Sequence, residues 1–222
     1  MTPYHDHSDE RTRAALVARM EQEIVVLVSD AGTPLISDPG YKLVRDARDA
    51  GRHVTTLPGP CAAIAAITLS GLPSDRFLFA GFLPNKAKAR ADTLAEFAGL
   101  RATLVFYESG PRLSASLAAM AEGLGNREAA VAREISKMFK ECVTGTLTEL
   151  SARYADAPPK GEIVVVVGPP GEAVTEEADD ATLDAALREA MADKPVAQAA
   201  KAVAKRFGLD RHDVYARALT LK

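Results

Sequence analysis

Two aspartates, two prolines and two glycines fall within one stretch, Ser29-Asp30-Ala31-Gly32-Thr33-Pro34-Leu35-Ile36-Ser37-Asp38-Pro39-Gly40. It follows the apolar run Ile24 to Val28, which reads as a buried strand, and precedes Tyr41 to Ala50, which reads as a helix. Open α/β sheets bind ligands at the C-terminal ends of their strands. A carboxylate at such a place, here Asp30, can accept hydrogen bonds from sugar hydroxyls or orient another polar ligand. The competing reading is an Asx turn that only braces the loop. Asp38 with Pro39 reads differently, as a helix start with Asp at the N-cap and Pro in the first turn.

A second loop has the same design. The run His53 to Leu57 leads into Pro58-Gly59-Pro60-Cys61-Ala62-Ala63 and then into an alanine-rich helix. Gly59 lets the backbone approach a ligand, and the helix N-terminus offers unpaired N–H groups to an anion. Taken alone, this is equally an ordinary βα turn. Three further sets lie at strand ends: Phe79-Ala80-Gly81-Phe82-Leu83-Pro84, suited to cover an apolar or aromatic ligand; Phe106-Tyr107-Glu108-Ser109; and Arg133-Glu134-Ile135-Ser136-Lys137 with Lys140 and Glu141. The last is equally a surface salt-bridge network. His5 and His7 are two apart with no third metal ligand near, so a mobile or hydrogen-bonding role is expected.

The elements that position these residues alternate. Strands are expected at 24–28, 53–57, 77–80, 102–107, 129–133 and 162–167. Helices are expected at 11–22, 41–50, 61–70, 87–97, 112–122 and 147–154. That order argues for α/β layers. Gly71 to Asp75 reads as a hinge and Gly168-Pro169-Pro170-Gly171 as a linker. The expected division is a first lobe over 1–73, a second over 74–170, and a linker with a helical tail over 171–222.

With 222 residues and 47% hydrophobic content the chain can build a real core, and its net charge of −3 neither announces nor excludes a nucleic-acid partner. Cys61 and Cys142 fit no metal spacing and read as small buried hydrophobes. No apolar run has membrane-spanning length, so a soluble cytoplasmic protein is expected, with no metal. Basic residues are local: Lys86, Lys88 and Arg90 after Pro84, then Lys194, Lys201, Lys205, Arg206, Arg211, Arg217 and Lys222. Lys201 and Lys205 share a helix face. The tail reads either as a helix-turn-helix that meets RNA or as a solvated hairpin packed on the body or on a dimer mate.

Several of these motifs occur together in one family. Ser29 to Gly40, Leu57-Pro-Gly-Pro60, Gly71-Leu-Pro-Ser-Asp-Arg-Phe77, Gly81-Phe-Leu-Pro84, Phe106-Tyr-Glu-Ser109, Arg133-Glu134 and Gly161-Glu-Ile-Val164 stand in its order and spacing. The chain resembles the ribosomal RNA small subunit methyltransferase I family, cytidine 2′-O-methyltransferases of the tetrapyrrole methylase superfamily, over nearly its whole length. The resemblance implies a two-lobed α/β fold with a helical tail and S-adenosylmethionine in the cleft between lobes. It implies that Asp30, Gly32, Thr33, Pro34 and Ile36 hold the cofactor from the first loop, Gly59, Cys61 and Ala62 from the second, and Tyr107 from the other lobe. The substrate it implies is a cytidine ribose in small-subunit ribosomal RNA, or the 30S subunit, met by a homodimer.

A ribose 2′-hydroxyl is a weak acid, so a proton acceptor helps its attack. Candidates are Asp30, His5 and Glu108. Arg133 and Lys137 are candidates for steering phosphate, beside Lys86, Lys88, Arg90, Lys201, Lys205 and Arg206. Members of the family open with a strand and a Gly-containing turn ahead of a Tyr-His-x-His segment, and this chain starts at that segment. An incomplete first lobe is therefore expected, with an open sheet edge. Two alternatives remain: a methyltransferase acting on a tetrapyrrole-type small molecule, and an inactive fragment that binds RNA or dimerises.

Overall fold

The structure, a computed structural model, describes residues 2–5, 9–171, 180–207 and 209–221, without the side chains of Lys205 and Arg206. The chain forms two compact units, residues 1–168 and 169–222.

The first unit is built on five strands: β1 (Phe77–Phe82), β2 (Thr103–Ser109), β3 (Glu128–Arg133), β4 (Glu141–Thr146) and β5 (Glu162–Val167). Their spatial order is β1-β2-β5-β3-β4. β1 and β2 are parallel; β5 is antiparallel to both β2 and β3, and β4 is antiparallel to β3. The C-terminal ends of β1, β2 and β3 therefore share one end of the sheet.

Alternation along each strand sorts its side chains into two cores. Leu104 and Phe106, Val131, and Ile163, Val165 and Val167 point to one face. There they meet α4 (Ala87–Phe97), α5 (Gly110–Leu124) and α6 (Leu147–Arg153) through Leu94, Leu113, Leu117 and Leu150. Val105, Ala130, Ala132, Val164 and Val166 point the other way, onto Ala63, Ala66 and Ile67 of α3 (Ala62–Ser70). Cover on both faces explains why β5 reads as an unbroken apolar run. Thr146 starts α6 with a full capping box, its hydroxyl accepting from Glu149 N–H while Glu149 accepts from Thr146 N–H.

The N-terminal part is thinner. α1 (Glu10–Arg19) and α2 (Tyr41–Asp49) bury Leu16, Val17, Leu43 and Ala47 against one another, with Tyr4, Met20 and Val54 beside them. Arg13 Nε donates to the Asp46 carboxylate at 2.7 Å and ties the two helices. The strands expected at 24–28 and 53–57 do not form. Among the described residues no strand lies beside either, so their N–H and C=O groups have no ladder to join. Ile24 is 92% exposed and Leu57 is 86% exposed. Helix α2 also differs from expectation: its N-cap is Gly40, two residues past Asp38. At φ +141° any side chain at position 40 would be strained, and its Cβ, 2.6 Å from Leu27 Cδ2, would push that side chain aside, so glycine is favoured there.

The second unit is a bundle of α7 (Asp180–Asp193), α8 (Val196–Phe207) and α9 (Arg211–Thr220) around Leu187, Val203, Phe207 and Val214. Asp210 caps α9, accepting from His212 N–H at 2.7 Å. Arg217 binds the carboxylates of Asp180 and Asp184, which joins α9 to α7. None of the helices among the described residues is long and apolar enough to cross a membrane.

Candidate active site

The two proline-glycine loops meet. Thr33 Oγ1 donates to the Pro60 carbonyl oxygen at 2.8 Å. A Cβ on Gly32 would lie 3.7 Å from the same oxygen, and one on Gly59 would lie 3.6 Å from Thr33 Oγ1. Ser29 Oγ donates to Ala31 O at 3.1 Å, so a serine braces this turn. The Asp30 side chain is left exposed, with no partner among the described residues. Leu35 and Ser37 hold left-handed backbone at φ +73° and +60°. Non-glycine residues rarely adopt that conformation, and such strain gathers at ligand clamps.

The sheet end closes on these loops. Gly81, at φ +64°, sits opposite Ser37, whose Oγ would be 3.6 Å from a Cβ there. The β1–β2 register shifts between Phe79 and Gly81, a bulge that re-aims Phe82. Tyr107 on β2 then stands edge-on to Phe79 and Phe82, with ring centroids 4.8 and 5.6 Å away. Burial, followed by the neighbouring Cys61 thiol, pushes the Tyr107 phenol up to about 12, so it is a neutral donor at physiological pH. Ala63 backbone and Asp38 also act on that hydroxyl. Tyr107 thus links β2, the N-terminus of α3 and the first loop.

Glu108 points into the opposite core. Its side chain is 1% exposed and faces Arg112 Nε at 3.4 Å. It accepts from Ser116 Oγ at 2.6 Å and from Ser109 N–H at 2.8 Å. Arg112 in turn donates to the Leu83 carbonyl at 2.6 Å. A buried carboxylate occupied in this way fixes the turn after Tyr107 and the end of β1. It faces the core on the other side of the sheet from Tyr107, so the structure does not bring this expected proton acceptor to the two loops. His5 is exposed next to Tyr4, which packs on the cluster between α1 and α2, so the structure does not bring it to the two loops. A cavity of about 190 Å³ between Thr2, Tyr4, Leu16 and residues 24–27 includes none of the candidate residues.

The arrangement fits an adenosyl-methionine ligand. Gly32 and Gly59 leave open backbone, the N-cap residue Cys61 gives α3 no side-chain cap, and an aromatic wall stands beside them. Uncapped N–H groups suit a carboxylate, and aromatic faces suit a purine. Among the described residues no cluster of His, Cys, Asp or Glu could hold a metal ion.

Residues 2–151 match the Tetrapyrrole (Corrin/Porphyrin) Methylases family, and residues 177–222 match the RsmI C-terminal HTH domain. The ribosomal RNA small subunit methyltransferase I of Erythrobacter litoralis is 59% identical over 99% of this chain and 77% of its own length. That of Mesorhizobium japonicum is 48% identical over 100% of this chain and 75% of its own length. The chain belongs to the ribosomal RNA small subunit methyltransferase I family. Solved tetrapyrrole methylases share its fold: the methyltransferase CobJ superposes with a TM-score of 0.55 at 19% identity, covering 75% of this chain and 74% of its own.

The basic residues expected to meet RNA are spread over this methylase. Lys86 and Lys88 are exposed at the start of α4, just past the end of β1, and Arg90 is part-buried there. Arg133 is paired with Glu141 at 2.8 Å, and Lys137 with Glu134 at 3.1 Å. Lys201 is exposed on α8 in the second unit, whereas the side chains of Lys205 and Arg206 lie outside the described residues. Arg217 is a strut of the bundle, its guanidinium held by Asp180 and Asp184. Composition misses β4, because Glu141-Cys-Val-Thr-Gly-Thr146 begins inside a charge cluster. Its β-branched Val143 and Thr144, close after a strand, are the available signal.

Proposed function

We propose that this chain transfers a methyl group from S-adenosylmethionine to the 2′-oxygen of a cytidine ribose in small-subunit ribosomal RNA. One observation carries the methylase part: the Thr33–Pro60 hydrogen bond, which draws the two loops into one site facing Tyr107. The RNA part rests on relatives of that name, alike along the tail as well as the body. Bound S-adenosylmethionine supplies a methyl group already activated on a sulfonium. The protein must hold, orient and deprotonate. Gly32, Thr33, Pro34 and Ile36 would hold the cofactor from one side and Gly59, Cys61 and Ala62 from the other, with Tyr107 as wall and donor.

Asp30 is the carboxylate left open to accept the 2′-hydroxyl proton or to hold the cofactor ribose. His5 remains a second candidate acceptor. Lys86, Lys88, Arg90, Arg133, Lys137 and Lys201 are proposed to contact phosphate, since such contacts set register without reading sequence. The same reading has residues 1–73 and 74–170 as the two lobes, a homodimer as the working form, the 30S subunit as a substrate and the cytoplasm as the location.

The test is methyl transfer from tritiated S-adenosylmethionine to unmodified small-subunit RNA, followed by nucleoside mass spectrometry. The expected product is 2′-O-methylcytidine, and Asp30→Asn lowers its rate by roughly 10²-fold or more. Transfer to a corrin-type substrate alone would replace this reading, and absence of both transfer and cofactor binding would overturn it.

A further inference from the structure

The β3–β4 loop, residues 134–140, holds two large apolar side chains in water. Met138 is 89% exposed and Phe139 is 71% exposed. The loop does not dangle. Lys137 N–H donates to Glu134 O at 2.8 Å and Lys140 N–H to Lys137 O at 3.3 Å. Glu134 has left-handed backbone at φ +50°, and its carboxylate accepts from Lys137 Nζ at 3.1 Å and from Glu162 N–H at 3.4 Å. Ile135 anchors the base of the loop in the cluster that also holds Cys61, Phe79 and Tyr107. A braced loop that keeps apolar groups out of the core presents a surface for recognition.

Its position says for what. Arg133 ends β3 at the end of the sheet where β1 and β2 deliver Phe82 and Tyr107, with Tyr107 paired to Val164 and Ala132 to Val164. Two strand spacings, about 10 Å, separate β2 from β3. The tip is flanked by Lys137, which is paired with Glu134 at 3.1 Å and lies 3.9 Å from Glu162, and by Lys140, which has no ion pair among the described residues. An aromatic ring next to a cation without an ion pair, here Phe139 next to Lys140, is a combination that binds an unpaired nucleotide: the ring stacks on the base and the cation meets phosphate. We propose that Phe139, with Met138 beside it, stacks on an unpaired RNA base next to the nucleotide whose ribose enters the site.

The inference rests on the ribosomal RNA reading above, and the test separates the two. Transfer kinetics on in-vitro transcribed small-subunit RNA are measured for wild type, Phe139→Ala and Phe139→Trp, with cofactor affinity by calorimetry and mass by sedimentation. Phe139→Ala should raise the KM for RNA roughly tenfold with kcat and cofactor affinity kept, and Phe139→Trp should restore it. An unchanged KM in Phe139→Ala overturns the stacking role while the methyltransferase reading stands. Loss of dimers in Phe139→Ala also overturns it, because a second copy then covers the tip. A wild-type chain that methylates no RNA overturns both.

Discussion

Residues 23–28 and 162–167 read Glu-Ile-Val-Val-Leu-Val and Glu-Ile-Val-Val-Val-Val, the same at five of six positions. Their outcomes are opposite. The second is β5, paired on both sides and buried from Ile163 to Val167. The first pairs with no strand among the described residues, and Ile24, Val26 and Val28 are exposed while Val25 and Leu27 are half-buried. The alternation of a strand is present in both. What differs is the neighbourhood, since β-propensity is a preference for a pleated, covered surface and has force only where the cover exists. The rigid loop after residue 28 forms all the same, held by Thr33 on Pro60 and by Gly40 under Leu27 and Leu35.

Removing cover from each region should expose the contrast most strongly. Phe106→Ala opens a hole between the sheet and α4, where Phe106 is fully buried against Phe97. A loss of about 3–5 kcal/mol in urea unfolding, followed by circular dichroism, is expected. Ile24→Ala should change the same transition by less than about 0.5 kcal/mol. A comparable loss in both variants would mean that residues 24–28 are covered in solution.

Residues 77–167 were legible in the sequence because their signals agree with each other. The helix at 87–97 and the strand at 162–167 lie where periodicity put them, since both have apolar faces that find partners. The sheet's antiparallel middle was not legible, for strand order depends on contacts distant in sequence. The two loops could be read as one site from composition, but the Thr33–Pro60 bond and the Tyr107–Cys61 contact could not. Glu108 shows the limit best. Next to Tyr107 in sequence, it looks like a site residue, yet strand alternation turns it to the other face.

That alternation makes Glu108→Ala the next sharpest comparison. It leaves the buried Ser116 hydroxyl and the Ser109 N–H without their acceptor and removes the carboxylate partner of Arg112, which keeps its bond to the Leu83 carbonyl. The expected cost is about 1–3 kcal/mol in unfolding. Cofactor affinity should fall as well, through the loosened turn after Tyr107. If transfer is lost at full stability and unchanged affinity, Glu108 acts on the substrate after all.

The smallest effect concerns Tyr107 itself, the residue that joins the two regions. Its phenol titrates at about 12 in the folded chain because burial and the Cys61 thiol disfavour the phenolate, against 10.0 for an ordinary tyrosine. The folded state therefore keeps a proton that the unfolded chain gives up, and stability falls wherever the unfolded state binds fewer protons. The contribution is complete below pH 10, where both states are protonated, and is lost as pH rises towards 12. Tyr107→Phe has no proton to lose, so its stability should decline less steeply than wild type between those limits. The difference between the two chains cancels the other alkaline titrations they share. Parallel curves for the two would mean that the Tyr107 hydroxyl is open to water, and the α3 N-terminus would then not be tied to β2 through it.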